Sequence, residues 1–410
     1  MSTIHESDPG TATQGRKGLP WWAFGIANVV IVLVVSVLLW WLLVDPQWSP
    51  VGSYPQPFEA ALFWSVIATV WIAFNCGWTG PASLPQPTRG LVGIVVVLVV
   101  AALVTVLLAF GWGAIDPSFA ASRAEGAGFT MGQLIVLFAF FFYVTAAINW
   151  MHWPWAGRLE QPWLGLAEIG ALVLPTLVVY GVLAVPNVAT WADKGTALIE
   201  TTTLIGWFYS LIVSVVITGL LWENRPWSLA GTPGRVAALS FVGNIVFGTV
   251  LYFVVGGLAR LLMGPANVAA LGDGVTEYAA ELGVCWVFWM IAWGNVFGNK
   301  PTHLGAVAND AVRFVVTLVL GALTFLAYYF SFAGTVLHEP AAGTSLHGDA
   351  LGFMDLAVLI TLFYVLFLGS AGLPAPDADA AEADAETIAV ETGEAAKADA
   401  RAEARHRTVT

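Results

Sequence analysis

Ten apolar stretches of about 20 residues each dominate this chain, at about 21–44, 59–77, 90–111, 131–150, 163–184, 201–222, 236–259, 279–297, 311–332 and 353–371. An α-helix rises 1.5 Å per residue, so roughly 20 residues cross the hydrocarbon layer of a bilayer. Valine-rich runs such as Val29–Val37 and Val95–Val106 would favour strands in water. In lipid the backbone must satisfy its own hydrogen bonds, and a spanning barrel strand has only about ten residues. The pattern predicts an all-α polytopic integral membrane protein with about ten transmembrane helices. Composition agrees: 58% of the 410 residues are hydrophobic and 10% charged, against about 25% charged in soluble domains.

The net charge of −12 says little about partners, because residues 377–410 hold nine acids and four bases. No basic cluster exists that tracks phosphates, which excludes nucleic-acid binding. Two cysteines, Cys76 and Cys285, are too few for a disulfide framework or a thiolate metal site. The first apolar run is too long for a signal-peptide core and lacks a small-residue cleavage site, so it reads as a retained span. Residues 1–20 form a cytoplasmic segment, 21–372 the transmembrane domain, and 373–410 an acidic, alanine-rich cytoplasmic tail expected to be disordered. In the short connections, Arg16, Lys17, Arg89, Arg158, Arg225, Arg235 and Lys300 lie on the side of the N-terminus, and Arg123, Lys194 and Arg260 on the other. This asymmetry predicts a cell-membrane protein with both termini in the cytoplasm.

The connections on the basic side each carry a proline (Pro81, Pro154, Pro226, Pro301, Pro374), spaced by 73, 72, 75 and 73 residues. A looser series, Pro46, Pro117, Pro186, Pro265 and Pro340, marks the opposite side. Helices running toward the basic side start near Glu59, Gln133, Glu200, Glu281 and Asp355, and three carry asparagine near their ends: Asn75, Asn149 and Asn295. The chain therefore reads as five tandem two-helix hairpins. The competing explanation is that any two-span hairpin takes about 70 residues and that proline is common where helices stop.

Ionisable and amide groups inside the spans are the candidate functional residues, because the bilayer makes them costly. Glu168 lies one turn inside the fifth span, ahead of Pro175. Asn75, Asn149, Asn244 and Asn295 are expected either to line a polar path or to bond between helices. His152 sits among tryptophans and is either an interfacial residue or a proton carrier. Glu281 and Asp355 are read as vestibule residues or as helix-start acids that offset the macrodipole. Asp310 and Arg313, three residues apart on one helix face, are assigned to a structural ion pair.

No phosphate-binding loop, nucleophile elbow or histidine pair appears in the sequence, so no ATPase or hydrolase chemistry and no metal or cofactor is expected. The sequence thus points to a secondary transporter or permease for a small solute, coupled to an ion or proton gradient rather than ATP. A membrane scaffold anchoring a partner complex is the alternative, and an intramembrane enzyme acting on a lipid-like substrate is a third reading.

Overall fold

The structure is a computed structural model that describes residues 18–374 and Pro376, apart from Tyr54, residues 118–119 and 121–126, Thr190 and Asp193. The segment 1–17 and the tail from 377 onward, expected to be disordered, lie outside the described residues. Among the described residues there is no strand, and ten helices are long and apolar enough to cross a membrane. They are α1 (Trp21–Leu43), α2 (Phe58–Asn75), α3 (Thr88–Ile115), α4 (Gly132–Asn149), α5 (Trp163–Val188), α6 (Thr201–Leu221), α7 (Pro233–Met263), α8 (Pro265–Asn295), α9 (Ala306–Thr335) and α10 (Ala350–Phe367). The chain divides into a unit of residues 28–371 and a second made of 1–27 and 372–410. In the latter, Leu19 and Pro376 pair through their backbones.

Each of the ten apolar runs falls on one of these helices, whose ends differ from the run's by a few residues. The eighth differs most. A short helix, Pro265–Leu271, and a 3₁₀ stretch, Gly272–Glu277, precede its main part, Tyr278–Asn295.

Burial alternates strictly along the chain. The even-numbered helices are 61–83% buried and the odd-numbered ones only 17–28%. Neighbour relations explain this. Helix α2 packs on α4, α4 on α6, α6 on α8, α8 on α10, and α10 back on α2, closing an inner ring of five. Outside it, α3 packs on α2, α5 on α4, α7 on α6 and α8, and α9 on α8. Each of these four also crosses the final turn of an inner helix made earlier or later in the chain: α3 that of α10, α5 that of α2, α7 that of α4, and α9 that of α6. Helix α1 completes the outer layer by inserting the fully buried Trp40 between Phe58 of α2 and Phe353 of α10, with ring centroids 5.8 Å from each.

All five inner helices end in the same way. The backbone N–H of Trp78, His152, Asn224, Asn299 and Ser370 donates to the carbonyl six residues earlier, that of Ile72, Ala146, Thr218, Trp293 and Tyr364. Such wide closing turns need a left-handed residue, as in Schellman-type caps. Gly77, Met151, Glu223, Gly298 and Gly369 supply it with φ of 60°, 50°, 52°, 66° and 59°. In four of the five the next residue is left-handed as well (His152, Asn224, Asn299, Ser370). That geometry turns a polar side chain back against the helix ends.

Candidate functional site

At this end of the ring the capping residues tie helices together. His152 Nδ1 lies 2.9 Å from Glu168 Oε2, and Asn75 Nδ2 donates to the same oxygen at 2.8 Å. Glu168 and Asn75 are both fully buried, between α5 and the end of α2. Asn224 donates to the carbonyl of Asn149 at 3.0 Å, Asn149 to Asn224 Oδ1 at 3.0 Å, and Asn244 to Asn149 Oδ1 at 3.0 Å. Thr218 closes that network by donating to Asn244 Oδ1 at 3.0 Å. Five residues singled out by sequence (Glu168, Asn75, Asn149, Asn244 and His152) therefore sit in contacts between helices. Bonds of this kind contribute about 0.6–1.7 kcal/mol each in a bilayer.

The pair Asp310–Arg313 exists, at 3.7 Å, but both residues have nearer partners. Asp310 receives a two-pronged contact from Arg225, at 2.6 and 2.9 Å. Arg313 donates to Glu223 and to the carbonyls of Leu221 and Pro301, each at 2.9 Å.

The opposite end of the ring is acidic. A cavity of about 170 Å³ lies among the inner helices, and Glu59, Gln133, Ile205, Glu277 and Asp349 all line it. These five residues are spaced by 74, 72, 72 and 72 along the chain, one from each inner helix or the turn leading into it. Three are carboxylates, and no Lys, Arg or His lines the cavity. Gln133 donates to Glu59 at 3.0 Å and Gln56 donates to it at 2.9 Å. Asp349 caps α10 by accepting from the Leu351 N–H at 2.9 Å. Sequence reasoning found Glu59 and Gln133 but placed Glu200, Glu281 and Asp355 in the same series. The ring instead uses Ile205, Glu277 and Asp349. Glu281, one turn past Glu277, does not line the cavity and accepts from Tyr329 at 2.7 Å and from the Leu351 N–H at 3.1 Å.

Further cavities lie deeper among the inner helices. One of about 30 Å³ shares Phe63, Leu137 and Tyr209 with the first and is lined also by Asp355. Another of about 80 Å³ shares Phe140 with the second and reaches Asn295, Phe74 and Leu220 near the helix ends. Of the residues singled out by sequence, Asp355 and Asn295 line this series. A larger hollow of about 520 Å³, between α1, α9 and α10, is lined by apolar and aromatic side chains with little polar surface. In a bilayer, lipid chains satisfy such a groove, so it carries no chemistry here.

The connection before α10 holds a titratable group with a distinct environment. Glu339 is buried and accepts from Tyr328 at 2.6 Å and from the Asp349 N–H at 2.7 Å. Burial pushes its carboxyl up to about 8, against those two hydrogen bonds, with the charges of Asp349 and Glu59 adding to the rise. Below an ordinary glutamate pKa of about 4.3 both folded and unfolded states hold the proton. As pH climbs toward 8 the unfolded chain releases it first, so the folded state loses relative stability. The melting temperature in detergent should fall between about pH 5 and pH 8, and Glu339→Gln should flatten that fall. An unchanged slope in the variant would assign the pH response to other groups.

No protein-family model, curated protein or solved structure matches this chain.

Proposed function

We propose that this chain is a membrane transport protein that moves a small cationic or protonated solute along the interior of its inner ring, entering at the acidic mouth. One observation carries the reading. Glu59, Glu277 and Asp349 converge on a cavity free of basic residues, and further cavities follow it between the same five helices. Clustered charge of one sign in a low-dielectric cleft concentrates counter-ions about 10- to 1,000-fold. Binding sites at mid-membrane between repeated elements are the general design of secondary transporters.

The recurring turn at the five inner helix ends and the 72–74-residue spacing of the mouth support five tandem repeats in one orientation. The excess of Lys and Arg in the connections after inner helices supports placing that end, and both termini, in the cytoplasm. The mouth then faces outward in the cell membrane. The missing phosphate-binding loop supports coupling to an ion or proton gradient rather than to ATP.

The scaffold reading keeps one supporting observation: Glu168, Asn75, Asn149 and Asn244 are engaged between helices rather than along the cavities. Reconstituted vesicles separate the two. With the purified protein, uptake of small monovalent cations and protonated amines should exceed that of protein-free vesicles. The double variant Glu277→Gln/Asp349→Asn should lower uptake about tenfold or more without lowering the melting temperature. Vesicles that take up none of these solutes, together with a stoichiometric partner recovered in mild detergent, would establish the scaffold instead.

A further inference from the structure

We infer that Asp355 is the proton-binding position of the central pathway, with Tyr209 as its positioning residue. This rests on the transport reading above but names what passes the narrowest region and which group receives it.

Asp355 lies on α10, deeper than the mouth residue Asp349, and is only 5% exposed. Its two oxygens are treated differently. Oδ1 accepts from the Tyr209 hydroxyl at 3.0 Å. Oδ2 is buried and has no hydrogen-bond partner, an arrangement that ordinarily destabilises a fold. Asp355 also lines the cavity of about 30 Å³. That is room enough for water. Apart from Asp355 and Tyr209 the wall is apolar, formed by Phe63 and Val66 of α2, by Val136 and Phe140 of α4, and by their neighbours. The space is wide enough for water.

A proton on water and a bare cation both fit, and ligand chemistry decides between them. Calcium takes six to eight oxygens, magnesium a near-octahedral six and zinc four donors. The wall offers the carboxyl of Asp355 and one phenol. Among the described residues no group of three or more His, Cys, Asp or Glu could hold a metal ion. A proton needs a single acceptor with a free lone pair, and Oδ2 provides it.

Tyr209 lines both this cavity and the mouth, so the Tyr209–Asp355 pair stands where mouth water meets the narrow region. The groups facing Asp355 are acidic or neutral: Tyr209 from α6, Cys285 from α8 and Asp349 from the start of its own helix. Glu281 of α8 lies beyond, toward Tyr209. Helices α2 and α4 contribute the apolar side chains named above. None of these is a base that would hold Asp355 permanently in an ion pair. In the exchange a hydronium in the mouth gives up its proton, becoming water, and an O–H bond forms at Oδ2. It departs to water on the far side, restoring the carboxylate.

The test uses the full chain in vesicles loaded with a pH-reporting dye, under an imposed pH gradient with the membrane potential clamped. Wild-type protein should carry protons, Asp355→Asn should reduce that flux to the protein-free background, and Asp355→Glu should retain part of it. Tyr209→Phe should shift the pH of half-maximal flux, a change that a purely structural tyrosine would not cause. Equal flux, above the protein-free background, in wild type and Asp355→Asn would overturn the assignment. So would an Asp355-dependent flux that follows a sodium gradient at clamped pH, which would make the site a cation site. Infrared difference spectra of the detergent-solubilised protein between about pH 5 and pH 8 provide a readout independent of transport. A protonated-carboxyl band lost in Asp355→Asn but kept in Asp349→Asn supports the site even if wild-type vesicles carry nothing, in which case only the transport reading fails. Absence of an Asp355-dependent band overturns the site itself.

Discussion

Replacing Arg313 with alanine is expected to lower the stability of the folded chain by about 3 kcal/mol or more, as removal of one partner from a buried charged network usually does. The guanidinium is 2% exposed, and its contacts come from three separate segments. It donates to the Leu221 carbonyl at the end of α6, to Glu223 in the turn that follows, and to the Pro301 carbonyl in the connection after α8. Hydrogen bonds from a charged donor are worth about 1.5–3 kcal/mol each. The Glu223 side chain is half-exposed and remains solvated in the variant, so the loss falls mainly on the two carbonyls and on the cavity left behind. Arg313→Lys should recover only part of it, because one ammonium cannot reproduce the fork. Intrinsic tryptophan fluorescence during thermal unfolding in detergent reads both variants. A melting temperature equal to wild type would mean that water enters and satisfies those carbonyls.

The second large effect is expected at Gly90. Helix α3 crosses the last turn of α10 so closely that a Cβ at Gly90 would lie 2.0 Å from the Phe367 carbonyl oxygen. Backbone cannot step aside as a flexible side chain would, so Gly90→Ala must push α3 away from the ring. Overpacking of this kind costs about 1–3 kcal/mol and sometimes more. The corresponding contact recurs 75 residues on, where a Cβ at Gly165 of α5 would lie 2.5 Å from the Asn75 carbonyl oxygen. Gly165→Ala should therefore behave like Gly90→Ala. Gly170, also on α5, has nothing within 4 Å of its Cβ position. There alanine should be neutral or slightly stabilising, since glycine inside a helix costs about 1 kcal/mol relative to alanine. Equal effects at all three positions would refute the close-crossing explanation.

Much of this architecture is legible in the sequence, because a bilayer imposes length and apolarity on every span. The two layers are not legible in the same way. Lipid is as apolar as a protein core, so hydrophobicity separates inner from outer helices poorly. The outermost α3 has a mean hydropathy of 3.3 and the inner α8 only 1.2, yet inner α6 and α10, at 2.2, exceed outer α7 and α9, at 2.0. The same ambiguity explains the candidate residues. Glu168 stands out in sequence as an isolated intramembrane acid, but its partners Asn75 and His152 lie 93 and 16 residues away. No local pattern reveals such a pairing. Glu277 was hidden because it belongs to a 3₁₀ turn ahead of the main helix, and Glu281 took its place one turn further on. Spacing was the available signal: 72 residues separate Ile205, Glu277 and Asp349, a tighter series than the residue types alone suggested.

The seam where Trp40 meets Phe58 and Phe353 has a consequence for how the protein is made. Helix α10 begins 292 residues after the start of α2, the inner neighbour that it must contact to close the ring. At a synthesis rate of about 5–20 residues per second, α2 leaves the ribosome roughly 15 to 60 seconds before that partner exists. Throughout this interval the nascent ring has two open flanks, with the carboxylate of Glu59 at one rim and Trp40 packed on Phe58 before Phe353 exists. Lipid solvates an indole readily but a carboxylate poorly, so chains that end before the last helix should be less stable than the full chain. Chains truncated before residue 350 should be the ones that quality-control proteases clear.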